Sequence, residues 1–397
     1  MDRAIAPRGD RLVVVGGRVL SAGGLVDADV LIEDGRIRAV ASEVPRRGRV
    51  LDAEGCVVAP GLVDLQINGG FGHDFTSDPA SIWAVGALLP SFGVTAFLPT
   101  IITAAEGAVD GARSALAAGP PVGYAGAQPL GLHLEGPAIS PRRRGTHDRR
   151  FLREPRAEWA REWDPDRHVR MVTLAPELPG ALPLIAALGA AGVVVAVGHT
   201  DASYDQTREA IEAGATAATH VFNAMPPLHH RRPGAVGAVL TASEVTVGTI
   251  VDGIHLHPAI VRLVWEMKGP DRFVLVTDAV AVMGSSPGTY RLGGIEVTAT
   301  EDGPRNPDGG LAGSALTLDE AIRNLVEFTG CSIAEAIAAA STNPARLVGD
   351  RHRGTVAIGA RGDLVVLDAE LRVRATVVGG DVVDADPRSG AGSPPVP

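Results

Sequence analysis

Glu135 and His199 stand at the ends of short apolar runs and His220 within another, in Leu-His-Leu-Glu (132–135), Val-Gly-His-Thr (197–200) and Thr-His-Val-Phe (219–222). One carboxylate and two imidazoles brought together from three runs form the three-ligand, open-position donor set of a hydrolytic Zn²⁺ or similar divalent site. Asp278, in Val-Thr-Asp-Ala (276–279), ends another apolar run. An aspartate there costs desolvation unless it has work to do, which makes it the candidate acid/base; its bland alternative is a helix N-cap. His133 and His255 lie at further run ends, and Gln66 and Asn68 follow the first run.

The rest of the composition removes competing chemistries. Lys268 is the single lysine of the chain and sits in a Lys-Gly-Pro turn signal, so Schiff-base, Walker-A and carbamylated-lysine mechanisms are excluded as readings. Cys56 and Cys331 are the two cysteines and are far apart, which rules out a thiolate metal cage and a disulfide framework and points to a reducing compartment. The formal net charge is −10, which disfavours nucleic acid and anionic membrane as partners. An anion site must then be local. His229-His230-Arg231-Arg232-Pro233-Gly234 is the clearest basic cluster near the candidate site, whereas Arg142-Arg143-Arg144 reads as solvated surface. The N-terminus has no continuous apolar segment, so the expected location is the cytoplasm.

These side chains need a frame that collects the ends of many strands. Eight apolar runs, at 57–65, 94–98, 129–134, 169–174, 193–197, 217–222, 245–251 and 273–276, alternate with alanine-rich helical stretches. That is the arithmetic of an α/β fold, a (β/α)₈ TIM barrel whose site lies at the C-terminal ends of its strands. The uncharged stretch at 180–198 reads as a helix over 182–188 followed by a strand over 193–197, broken at Gly189 and Gly192, rather than as a membrane span. Short strands with tight turns recur at both ends of the chain. We therefore expect a barrel over 58–349, a small β-sandwich domain from 1–57 and 350–385 built as one sheet unit, and a flexible Pro/Gly/Ser-rich tail over 386–397.

In order and spacing, the strings Pro-Gly-Leu-Val-Asp-Leu-Gln-Ile-Asn-Gly-Gly (60–70), Leu-His-Leu-Glu-Gly-Pro (132–137), Gly-His-Thr (198–200), Thr-His-Val-Phe-Asn-Ala-Met (219–225), Asp-Gly-Ile-His (252–255), Val-Thr-Asp-Ala (276–279) and Leu-Ala-Gly-Ser (311–314) are similar to those of the N-acetylglucosamine-6-phosphate deacetylases of the amidohydrolase superfamily. The resemblance implies Glu135, His199 and His220 as metal ligands and Asp278 as acid/base. It further implies His147 at the reacting carbonyl, and substrate contacts from Thr146, His147, Asn223, Ala224, Arg231, Asp252, His255, Leu311, Ala312 and Gly313. Many amidohydrolases carry His-x-His where this chain has Gln66-Ile67-Asn68, and a neutral amide is a poor transition-metal ligand, so one metal per subunit is expected, Zn foremost, with Fe, Co or Mn accepted by the same donors. The implied activity is hydrolysis of the acetamide of N-acetylglucosamine 6-phosphate by a homodimer in which Arg231 reaches the neighbouring site. The galactosamine epimer, another N-acyl amide and a non-catalytic scaffold are the alternatives.

Overall fold

Valine- and alanine-rich runs bounded by glycine are buried on both faces, the pattern of a parallel sheet covered by helices. The computed structural model describes residues 11–21, 24–105 and 107–383; the expected tail over 386–397 lies outside the described residues. Eight barrel strands, numbered here in chain order, are β1 (Leu62–Ile67), β2 (Val94–Ile102), β3 (Leu132–Glu135), β4 (Val169–Leu174), β5 (Val194–Val197), β6 (Ala217–Ala218), β7 (Thr246–Thr249) and β8 (Phe273–Leu275). Each pairs in parallel with the next. Between β8 and β1 no ladder forms among the described residues, only an isolated bridge from Ile67 to Ala279, so the barrel is nearly closed. Its interior and helix interfaces make one large apolar core, in which Leu65, Leu134, Val195 and Leu275 are buried.

The helical stretches pack outside the strands. The uncharged segment becomes α1 (Ala181–Ala190) followed by β5, as its glycines indicate. Next come α2 (Tyr204–Ala213), which starts in a Ser203/Gln206 capping box, then α3 (Gly234–Thr241) and α4 (Pro258–Lys268). The buried Lys268 ends α4 and donates from Nζ to the carbonyls of Val239 (3.0 Å) and Ala242 (2.5 Å), at the end of α3. No helix among the described residues is long and apolar enough to cross a membrane.

Two expectations change. The first apolar run is two strands: Val57–Pro60 pairs with Leu364–Leu367 and Arg18–Ser21, and β1 begins only after Gly61, where a Cβ would collide with the Thr95 side chain. The sixth run is a strand for two residues only, so His220 lies beyond it rather than within it. The chain ends form two sheets, the two layers of the expected sandwich. Arg36–Ala41, Asp29–Glu33, Arg11–Val15 and Arg49–Asp52 form the first; Asp381–Val383, Val373–Val378, Leu364–Leu367, Val57–Pro60, Arg18–Ser21 and Gly24–Asp27 form the second. Val14, Ile32, Val58 and Val366 meet in one core between them. An antiparallel hairpin, Thr289–Leu292 with Ile295–Thr298, was not expected; it packs Leu292 and Val297 against Ile102, Val280 and Val282.

Candidate active site

Strand ends deliver the side chains, but backbone strain aims them. His199, His220 and Asp278 have φ of 47°, 29° and 50°, the left-handed region that non-glycine residues avoid. Each such residue costs of order 1–3 kcal/mol unless its surroundings over-determine it, and such residues concentrate at functional sites. Here the turns out of β5, β6 and β8 swing three polar side chains onto one mouth.

Glu135 Oε1 lies 3.0 Å from His220 Nε2 and 3.2 Å from His199 Nε2, and the two Nε2 atoms are 3.1 Å apart. All three residues are buried, and among the described residues they are the group that can hold a metal ion. His199 Nδ1 is 2.8 Å from the Arg143 carbonyl, to which it must donate, so its Nε2 presents a bare electron pair. The three spacings are close to the ~3.3 Å edges of a tetrahedral set with bonds of ~2.0–2.1 Å. The three residues therefore fit a divalent cation in donor type and spacing, and His199 fits it in tautomer as well. Burial opposes the charge on Glu135, but without a cation, when His199 Nε2 carries a proton instead, the His199 charge and hydrogen bonds from His147, His199 and His220 hold its carboxyl well below the usual range.

Asp278 faces this cluster. Its Oδ1 accepts from Asn68 Nδ2 (2.7 Å) and Gln66 Nε2 (3.2 Å), and Gln66 Nε2 also donates to Glu135 Oε1 (3.0 Å). Burial, then the Glu135 charge, push the Asp278 carboxyl up to about 6. Oδ1 is occupied by two donors, and Oδ2 is the oxygen left without one among the described residues. Gln66 and Asn68 thus hold the Asp278 carboxylate.

His147 completes the group. Nδ1 lies against Thr103, accepting from its backbone N–H (3.3 Å) and 2.9 Å from its hydroxyl, and an accepting Nδ1 leaves the ring proton of the neutral form on Nε2, 3.5 Å from Glu135 Oε2. Burial, then the neighbouring His199 charge, lower its pKa to about 4, so the ring is neutral at pH 7 and offers one N–H donor. His133 is different: its ring is enclosed in the core between Thr173 Oγ1 (2.7 Å) and Thr100 Oγ1 (3.4 Å), and burial lowers it to about 4. It is a structural histidine.

These groups open into one cavity of ≈ 300 Å³, also lined by Thr146, Asn223, Ala224, His255, Leu311 and Gly313. Three expected contacts lie elsewhere. Asp252 is behind His255 and accepts from its Nδ1 (2.6 Å), and Ala312 is buried in the hairpin core. Arg231 is exposed and lines an adjoining groove of ≈ 800 Å³. Arg142 and Arg143 are not simply solvated surface: both line the cavity that holds Glu135, His199 and His220, tied to Asp201 at 3.2 and 2.9 Å, and Arg143 lines both spaces. Their run was visible in the sequence, but its return over His199 was not.

A model of the amidohydrolase family matches residues 57–383. The chain is 39% identical to the N-acetylglucosamine-6-phosphate deacetylase of Bos taurus, over 92% of this chain and 94% of that one. It is also 39% identical to the N-acetylgalactosamine-6-phosphate deacetylase of Escherichia coli O157:H7, over 89% and 93%. Among solved structures, a mutant Mycobacterium smegmatis N-acetyl-D-glucosamine-6-phosphate deacetylase in complex with N-acetyl-D-glucosamine-6-phosphate superposes with a TM-score of 0.86 at 39% identity, covering 95% of this chain and 99% of that one.

Proposed function

From its membership of the amidohydrolase family, to which this chain belongs, we propose that it hydrolyses the acetamide of N-acetylglucosamine 6-phosphate to glucosamine 6-phosphate and acetate. The observation that carries this reading is the meeting of Glu135, His199 and His220 with Asp278 and His147 in one cavity. The galactosamine epimer is the second reading, favoured by the Escherichia coli relative.

Glu135, His199 and His220 would hold one divalent cation, Zn foremost, which when bound acidifies water and polarises a carbonyl. This chain's own groups do the rest. Asp278, ionised at neutral pH, takes a proton at Oδ2 from the attacking water. His147 Nε2–H donates to the oxygen that gains charge as the acetyl carbon becomes tetrahedral. Asp278 then returns the proton to the sugar nitrogen, so that the C–N bond expels an amine rather than an amide anion.

The phosphate needs cationic donors. Arg142 and Arg143 are available in the chain's own cavity, and Arg231 would serve from a second copy in a homodimer, which its place in the outer groove supports. Thr146, Asn223, Ala224, His255, Leu311 and Gly313 would hold the sugar, and Asp252 would orient His255. Both cysteines are free, which supports a cytoplasmic location.

The test is metal content against activity. Wild-type protein should carry one divalent ion per chain by elemental analysis, and removal and reloading should abolish and restore acetate release. His199→Ala and His220→Ala should lose both metal and activity; full occupancy in both variants would overturn the ligand assignment.

A further inference from the structure

Asp64 is a second buried aspartate at the barrel seam, 1% exposed, and the reaction above gives it no part. It projects from β1, the strand that shares no ladder with β8. Its carboxylate spans that gap: Oδ2 accepts from the Thr277 hydroxyl (2.6 Å), and Oδ1 accepts from the backbone N–H groups of Thr277 (3.3 Å) and Gln66 (3.2 Å). Burial nevertheless pushes its pKa up to about 7. An apolar side chain would fill a barrel interior at lower desolvation cost, so the carboxylate's presence calls for a reason beyond packing.

The reason lies one residue beyond its partner. Thr277 Oγ1, held by Asp64, accepts from the Ala279 N–H (3.1 Å), so the residues on both sides of Asp278 hang from one carboxylate. The Asp278 N–H donates to the Gln66 carbonyl (2.8 Å), and its own carbonyl accepts from Ser314 N–H (2.9 Å). Between these ties Asp278 keeps φ = 50°. Gln66, whose side chain also orients Asp278, is fixed by Asp64 through its N–H.

We infer that Asp64 is a positioning residue: through Thr277 and Gln66 it clamps the left-handed backbone of Asp278 and so aims the acid/base carboxylate. The inference rests on the acid/base role proposed for Asp278. A side chain that only stabilised the core would lower the folded fraction without acting through Asp278.

Asp64→Asn is nearly isosteric, and its amide oxygen can keep the two backbone N–H bonds, but the NH₂ that replaces Oδ2 cannot accept from the Thr277 hydroxyl. In metal-loaded protein it should lower kcat by about 10- to 100-fold, the scale of a misplaced reacting group, with KM and metal content at wild-type values. Thr277→Val should reproduce the loss and Thr277→Ser, which keeps the hydroxyl, should restore it; this pair carries the test if Asp64→Asn does not fold. In an Asp278→Asn background, Asp64→Asn should have no further effect on kcat. A crystal structure of Asp64→Asn should show Asp278 out of its left-handed conformation or detached from Asn68. Wild-type kcat in Asp64→Asn, an equal loss in both backgrounds, or an unmoved Asp278 in the crystal would overturn the inference. Failure of the wild-type protein to release acetate would overturn the functional reading instead, and the crystal would still decide the clamp.

Discussion

Replacing His147 by alanine removes the one side-chain N–H assigned to the oxyanion. The ring is neutral because burial and the nearby His199 charge hold its pKa at about 4, and its proton is on Nε2 because Thr103 N–H occupies Nδ1. Loss of a single preorganised donor of this kind costs ~10²–10³ in kcat, or about 2.7–4 kcal/mol. KM should change little, since the donor strengthens its hold only as charge develops. Stability should fall as well, because Thr103, 2% exposed, is left with a buried N–H lacking its acceptor, an effect of ~1–3 kcal/mol. His147→Gln, which keeps an N–H donor, should fall between wild type and alanine. The assay is the initial rate of acetate release by metal-loaded protein, corrected for folded fraction by denaturant titration. A ring that stays neutral also predicts that the wild-type to variant ratio is constant across the neutral range. A kcat loss below about fivefold, well short of one oxyanion donor, would refute the reasoning, as would a ratio that titrates near the ordinary histidine pKa of ~6.5.

Asp278 must be ionised to take the first proton, and its pKa is raised to about 6, so kcat/KM should fall as pH drops through that value. A cation beside Glu135 draws the midpoint lower, never higher, so an acidic limb centred well above neutrality would contradict the assignment. Arg231→Ala should lower kcat/KM for the phosphorylated sugar by roughly 10- to 150-fold and leave the unphosphorylated sugar nearly unchanged; equal losses would remove it as a phosphate receptor. Lys268→Ala should cost ~1–3 kcal/mol in denaturant unfolding by leaving two carbonyls at the end of α3 without their donor, with kcat unaffected. Unchanged stability would show that water replaces the ammonium there.

The convergence of Glu135, His199, His220 and Asp278 was legible because each lies at or near the end of an apolar run, and a barrel gathers such ends. The barrel itself was legible from run length and glycine punctuation, down to the split of the 180–198 segment. What escaped was set by partners distant in sequence. Gly61 breaks the first run because Thr95 approaches it, and Arg143 reaches the cavity because its carbonyl binds His199 Nδ1. His133 shares the signature of the ligands, yet its neighbours are two threonines in the core. Arg231 follows Asn223 on the same connection but lies outside its cavity. The Thr289–Leu292 hairpin carries alternation too short to separate from loop. Left-handed φ at His199, His220 and Asp278 has no local signature, since none is glycine.

Release of acetate by the metal-loaded protein, measured together with the free amine across N-acetylglucosamine 6-phosphate, N-acetylgalactosamine 6-phosphate and their unphosphorylated forms, tests the central claim most directly. The account predicts acetate and amine in equal amounts, highest kcat/KM for N-acetylglucosamine 6-phosphate, and a large drop without the phosphate. Equal turnover with and without phosphate, or no acetate from any of the four with metal bound, would contradict it.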